Sequence, residues 1–216
     1  GALALLDSAL QLDSTFADAW AEKALRLVLA PDAVRSHTER LIKYRRAIDA
    51  ALTHDPENAV ALAERAWLAY AYEWDWDRAL ADLRATVRAQ PAAAWPMINF
   101  AGVLAFAGFS DSSVIYAERA AKLEPTSAFV WNMLGKIYAF RGESEKAIAA
   151  SERSLTLDST MYHTNWVLMH EYLNAGRLAE AETAAARLLR TSGEGHQGLV
   201  FMSQFRARAG DPSYAR

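Results

Sequence analysis

Apolar residues recur along this chain at steps of three, four and seven. Leu3, Leu6 and Leu10 make one such stripe, and Trp131, Leu134 and Tyr138 make another. Steps of that size put side chains on one face of a helix. Alternating runs of Val, Ile and Thr bounded by turn residues are absent from the sequence, so no strands are predicted. The stripes are punctuated at a fixed interval. Gly108, Gly142, Gly176 and Gly210 are evenly spaced, in the contexts FAGFS, FRGES, NAGRL and RAGDP. Each follows an apolar stretch and precedes a fresh polar start, the place of a glycine that ends a helix in the left-handed conformation. Ser113, Ala147, Ala181 and Ala215 form a second ladder with the same interval, and small residues there predict close helix–helix approach. Pro56, Pro91 and Pro125, with Asp13-Ser14 and Asp158-Ser159, close each unit and open the next. One unit therefore reads helix A, glycine turn, helix B, short loop.

The clearest unit is 128–161. Its Trp131, Leu134, Gly135, Tyr138 and Ala147 have the spacing W-x2-L-G-x2-Y followed nine residues later by Ala. This pattern resembles the tetratricopeptide repeat. It departs from that family at Ser151 and Ser154, where a large apolar residue and Ala are usual, and at Ser159, where Pro is usual. Unit 94–127 fits at Met97, Ala101, Leu104, Ala117, Ala120 and Pro125. Unit 162–195 keeps Leu168, Tyr172, Gly176 and Ala181, with Asn165 and Met169 at the aromatic and small positions. Unit 59–93 fits at Leu62, Ala66, Ala79, Leu83 and Pro91 but has one extra residue in its turn. Unit 17–58 fits at Trp20, Ala24, Leu27, Ile48, Ala51 and Pro56 with a longer middle. There Pro31 ends helix A, Asp32 caps, and 33–54 is predicted to run as one extended helix B. Residues 1–16 read as a helix B half unit and 196–216 as a helix A half unit. The resemblance implies an all-α, right-handed α–α superhelix, a single solenoid of about twelve helices. Neither end carries a polar capping repeat, which predicts a fragment of a longer chain, or a homodimer through the uncapped ends.

One turn carries a finer likeness. Trp74-Asp75-Trp76 resembles the turn of repeat arrays found beside cyclase, winged-helix or kinase domains in bacterial signalling proteins. The structural expectation is that both tryptophans fill a gap between units and that Asp77 caps helix B.

The resemblance also implies that the A helices line a concave groove. Projecting each helix A then brings Trp67 and Tyr70, Trp95 and Asn99, Phe129, Asn132 and Lys136, and His163, Trp166 and His170 to that groove. Phe106, Phe140 and Asn174 fall on the same projection. Contiguous exposed aromatics are unusual on a soluble protein without a use, and side-chain amides can pair with a peptide backbone. The expected role is a non-catalytic scaffold that binds a peptide or protein partner of unknown identity. Its expected setting is a larger bacterial signalling protein. Homo-oligomerisation, or sensing of a small ligand for an attached enzyme such as a nucleotide cyclase, is the alternative. Converging Lys and Arg are too few for a carboxylate clamp.

Composition narrows the chemistry. The chain has 216 residues, 52% apolar and 23% charged, a folded composition. No Cys excludes disulfides, thiolate zinc sites and cysteine nucleophiles. A net charge of −3 argues against nucleic-acid binding. No apolar run is long enough for membrane insertion. His163 and His170 stand seven apart, about 10 Å along a helix, too far for one metal. Phosphate loops and nucleophile elbows are absent from the sequence, and no cofactor is expected. Glu118-Arg119 and Glu152-Arg153, again one repeat apart, read as a solvated convex face. A cytoplasmic location is favoured, with the periplasm as the alternative if the full-length chain carries a membrane anchor.

Overall fold

The computed structural model describes residues 2–29, 36–192, 203 and 205–210. Among these the chain is helical throughout. The helices are α1 (Ala2–Leu12), α2 (Ala17–Leu29), α3 (His37–His54), α4 (Ala59–Leu68), α5 (Trp76–Ala89) and α6 (Ala94–Phe106). They continue as α7 (Ser110–Leu123), α8 (Ala128–Phe140), α9 (Ser144–Leu157), α10 (Tyr162–Asn174) and α11 (Leu178–Ser192). Short turns send consecutive helices back along one another, giving antiparallel helix pairs. Two compact units divide at Val103/Leu104. In the first, α2 pairs with α3 and α4 with α5; in the second, α8 pairs with α9 and α10 with α11.

The glycine turns behave as their spacing predicts. Gly108, Gly142, Gly176 and Gly210 have φ of 87°, 76°, 73° and 74°. After α8, Glu143 N donates to Tyr138 O (3.0 Å) and Gly142 N to Ala139 O (3.0 Å), closing the last turn. The pattern repeats after α6 and α10. Trp74, one repeat length before Gly108, occupies the same left-handed position at φ 57°. The extra residue of that unit is absorbed just before it, where Ala69–Glu73 widens into a π-turn. There Asp75 N reaches back six residues to Ala69 O (3.0 Å), whereas the glycine turns reach back five. Trp74 does not fill a gap: it is 72% exposed. Trp76, edge-on to Trp74 at 6.4 Å, lies beside Tyr70 at 6.2 Å. The helix cap is also different from the expectation. Asp75, not Asp77, precedes α5 in non-helical backbone, and its carboxylate accepts from Arg78 N at 3.0 Å.

Other starts follow the same logic. Asn58 and Ser127 accept from Ala61 N and Val130 N. The extended helix starts at His37 with Ser36 as its cap, so Ser36 does not belong to it, and 33–35 lie outside the described residues. Pro31 and Asp32 lie outside the described residues. Asp13 and Asp158 close their loops by accepting from both the backbone N and the hydroxyl of Thr15 and Thr160. Trp20 and Trp131 each donate their indole N–H to a carbonyl six residues back, Ser14 O and Pro125 O, both at 2.9 Å. That bond gives the indole a polar partner and ties helix A to its entry turn.

Small residues set the helix spacing. Ser113, Ala147 and Ala181 are fully buried, and so is Ala79, at the same place one repeat before Ser113. The first core gathers Ala24, Leu27, Tyr44, Ala47, Ile48 and Leu68, with Trp20 and Trp67 packed against it. The second gathers Ile148, Leu168, Met169, Tyr172, Ala185 and Leu188. Glu118 and Glu152 are not simply solvated. They accept from Tyr138 (2.7 Å) and Tyr172 (2.5 Å), which tie each helix B to the next unit.

Candidate functional site

In the first unit the four projected residues divide. Trp67 packs edge-on to Tyr44 at 5.8 Å and Tyr72 at 5.1 Å, and is part of the core. Tyr70 is half-buried, and burial pushes its hydroxyl pKa up. Trp95, at the start of α6, is 54% exposed. Asn99 turns its amide inward along the helix, donating to Trp95 O at 3.0 Å. Of the three projected rings, Trp95 is therefore the exposed one.

In the second unit α8 and α10 lie side by side. Equivalent helix positions one unit apart form rows across them. One row is Phe106, Phe140, Asn174 and Arg208. Phe106 and Phe140 are both largely exposed and meet edge-to-face at 5.4 Å. Farther along the row, Arg208 donates to Asn174 Oδ1 at 2.5 Å. The next row is Lys136 and His170. Lys136 is half-buried, burial lowers its ammonium pKa, and it has no anionic partner among the described residues. His170 lies edge-on to Trp166 at 4.5 Å, with its Nδ1 2.5 Å from an Arg208 guanidinium nitrogen. The third row is Asn132 and Trp166. Trp166 is 39% exposed.

Asn132 is placed differently from the projection. It is buried, and its amide donates to Thr164 Oγ1 at 2.6 Å. Ser154 Oγ donates to Ala128 O at 2.8 Å and stands 3.4 Å from the same threonine hydroxyl. This buried cluster fastens α8, α9 and α10 together, and it explains a serine at a position where the family prefers alanine. Asn132 is thus committed to packing and leaves no amide for a peptide. Phe129 is half-buried. The side chain of His163 lies outside the described residues.

Sequence reasoning missed two members of this face. Arg208 follows Asn174 by one repeat length, so the row itself points to it. Glu171 is buried; one oxygen accepts from Asn174 at 3.2 Å, and the other has no partner among the described residues. No periodicity marks it.

The electrostatics of His170 yield an expected result. Burial lowers its pKa first, and the adjacent Arg208 charge lowers it further, against a smaller upward pull from Glu171. A histidine whose folded pKa is depressed binds fewer protons folded than unfolded. Its contribution is therefore intact above about pH 6.5, the unfolded value, and is lost as pH falls towards the folded pKa. NMR titration should place the His170 midpoint below about 6.5, and Arg208→Ala should move that midpoint upward. An unchanged midpoint in Arg208→Ala would remove the guanidinium as a cause.

Comparison with known proteins gives three findings. Residues 116–149 match the family model of the tetratricopeptide repeat. No curated protein sequence matches the chain. Solved structures do resemble it. PilF of Pseudomonas aeruginosa is similar at TM-score 0.72 and 17% identity, over 94% of this chain and 88% of that one. PilW, a type IV pilus biogenesis factor, is similar at TM-score 0.77 and 19% identity, over 92% and 88%. YrrB, described as a repeat protein of this kind with an unusual peptide-binding site, is similar at TM-score 0.60 and 14% identity, over 92% and 97%. At such identities the likeness is one of fold.

Proposed function

We infer that this array of tetratricopeptide repeats is a non-catalytic interaction scaffold, and that its second unit binds a peptide segment of a partner protein on the α8–α10 face. The observation that carries this reading is the Phe106–Phe140 pair. Two large rings meet each other and remain open to solvent, although each could bury roughly 150–250 Å2 if covered. Trp166 and the half-buried Lys136 extend the same face. Lys136 supplies an ammonium with no anionic partner among the described residues, suited to a backbone carbonyl or carboxylate of the segment. His170 and Asn174, held by Arg208, form its polar edge. The peptide-binding description of YrrB supports a peptide reading for a fold of this kind. In the first unit Trp95 is the ring proposed to contact a partner, with Trp67, Tyr70 and Asn99 supporting it. We place the scaffold within a larger bacterial signalling protein on the likeness of its Trp74-Asp75-Trp76 turn.

The test is selection of binding peptides from a random library against the whole chain, followed by calorimetry. Phe140→Ser and Trp166→Ala should each weaken the selected peptides by at least about tenfold, as expected for aromatic anchors. Both side chains are exposed, so circular dichroism should be unchanged. Equal affinity for both variants and the parent chain would overturn the reading.

A further inference from the structure

The opposite side of α8 bears a second feature. Trp131, Leu134 and Tyr138 floor an open cleft of about 630 Å3 between α7 and α9. Its rim carries Lys122, Lys146 and Arg153. Lys146 is tied to Glu143 at 2.6 Å, while Lys122 and Arg153 have no ion-pair partner among the described residues. The cleft's carboxylate, Glu118, is already engaged by the Tyr138 hydroxyl.

The molecule contains its own control. One unit on, the same construction recurs between α9 and α11, with Leu168 and Tyr172 on its floor. There Thr156 stands for Lys122, Glu180 for Lys146 and Arg187 for Arg153, while Leu155 replaces Ala121 and fills space. That cleft is smaller, about 410 Å3, and its Glu180 is paired with Arg177. Asn165 stands for Trp131. Repetition of the fold therefore does not require the tryptophan floor, the extra room or the cationic rim. These three differences occur together at one cleft.

We propose that the α7–α8–α9 cleft is a binding site for a small organic carboxylate with an aromatic or branched apolar body. The volume lies within the range of small-molecule pockets, about 300–1,000 Å3. The indole face and Leu134 take the apolar body. The indole N–H is already bonded to Pro125 O, so the floor acts as an apolar surface. Lys122 and Arg153 meet the carboxylate at the solvent edge. A neutral ligand would leave these charges without an anion, and a ligand without an apolar body would leave the floor wet. The site lies on the other side of α8 from the peptide face, so each proposal can fail without the other.

The probe is 4-phenylbutyrate, titrated into the whole chain while the indole N–H resonances are followed by NMR. Trp131→Phe assigns the Trp131 signal. The expected result is a saturable shift at Trp131 with a dissociation constant on the order of 1 mM, ordinary for a ligand of this size. The neutral amide, 4-phenylbutyramide, should bind at least about tenfold more weakly. Ala121→Leu and Lys122→Thr introduce only residues that the neighbouring unit already accommodates at the matching places, so folding is preserved. Each should weaken the carboxylate at least about tenfold. The proposal is overturned if Trp131 does not shift. It is overturned equally if the amide binds as well as the acid, or if the substitutions leave affinity unchanged.

Discussion

Gly135→Val is expected to lower the unfolding free energy by about 3 kcal/mol, the upper end of ordinary overpacking costs. Gly135 sits inside α8 where α9 crosses close to it. A Cβ at this position would lie 2.5 Å from Ser151 Oγ, 3.3 Å from Ala147 O and 3.4 Å from Ser151 N. The serine hydroxyl can rotate away, but the carbonyl belongs to the α9 backbone and cannot. Alanine should therefore cost less than valine. Its single methyl displaces the hydroxyl, and it regains about 1 kcal/mol of helix propensity over glycine. Valine adds branches that meet the backbone itself. Ser151 Oγ is buried and has no hydrogen-bond partner among the described residues. Ser151→Ala alone should thus be neutral or mildly stabilising. The pair Gly135→Ala/Ser151→Ala should be more stable than the sum of the single changes, because the closest contact has gone. Denaturant unfolding of the four proteins, followed by circular dichroism, measures this. Additive single changes would show that α9 is not held at the distance described.

The same pair shows what is legible beforehand. Gly135 and the ladder of small residues announce close helix contact, because only small side chains allow it. The departure at Ser151 is visible as a mismatch, but its reason lies in the opposing glycine. Turns are legible wherever glycine marks a left-handed residue. Trp74 is not, since its side chain gives no hint of positive φ; only its place one repeat length before Gly108 does. Asp75 and Asp77 are equivalent by composition. Which of them caps α5 depends on where the π-turn leaves the backbone extended.

For the candidate site, periodicity tells which face of each helix a ring occupies. It cannot tell what covers that face. Trp67 and Trp166 occupy comparable stripes, yet Tyr44 and Tyr72 cover the first while the second stays partly open. Asn132 reads as a free amide in the sequence because its partner, Thr164, comes from the next unit. The α7–α8–α9 cleft is invisible there for a similar reason. Its residues come from three helices, and its distinctness emerges only beside the matching cleft one unit later.

Arg65→Ala is expected to cost about 2–3 kcal/mol, below the usual 3–5 for breaking a buried pair because water reaches the arginine. Arg65 on α4 and Asp82 on α5 form a two-pronged ion pair, Nε to Oδ2 at 2.7 Å and Nη2 to Oδ1 at 2.8 Å. The partners are unequally buried: the Asp82 side chain is 8% exposed and that of Arg65 37%. Removing the arginine strands a carboxylate away from water, whereas removing the carboxylate leaves a guanidinium that can turn to solvent. Asp82→Ala should therefore cost only about 1 kcal/mol, a typical lost hydrogen-bonded contact. The double change should lie close to Asp82→Ala alone, since no buried charge then remains. Arg65→Lys should recover only part of the loss, because an ammonium cannot span both carboxylate oxygens in the same plane. Urea denaturation of the full set decides it. If Asp82→Ala proved the costlier single change, the burial asymmetry would not be what governs this pair.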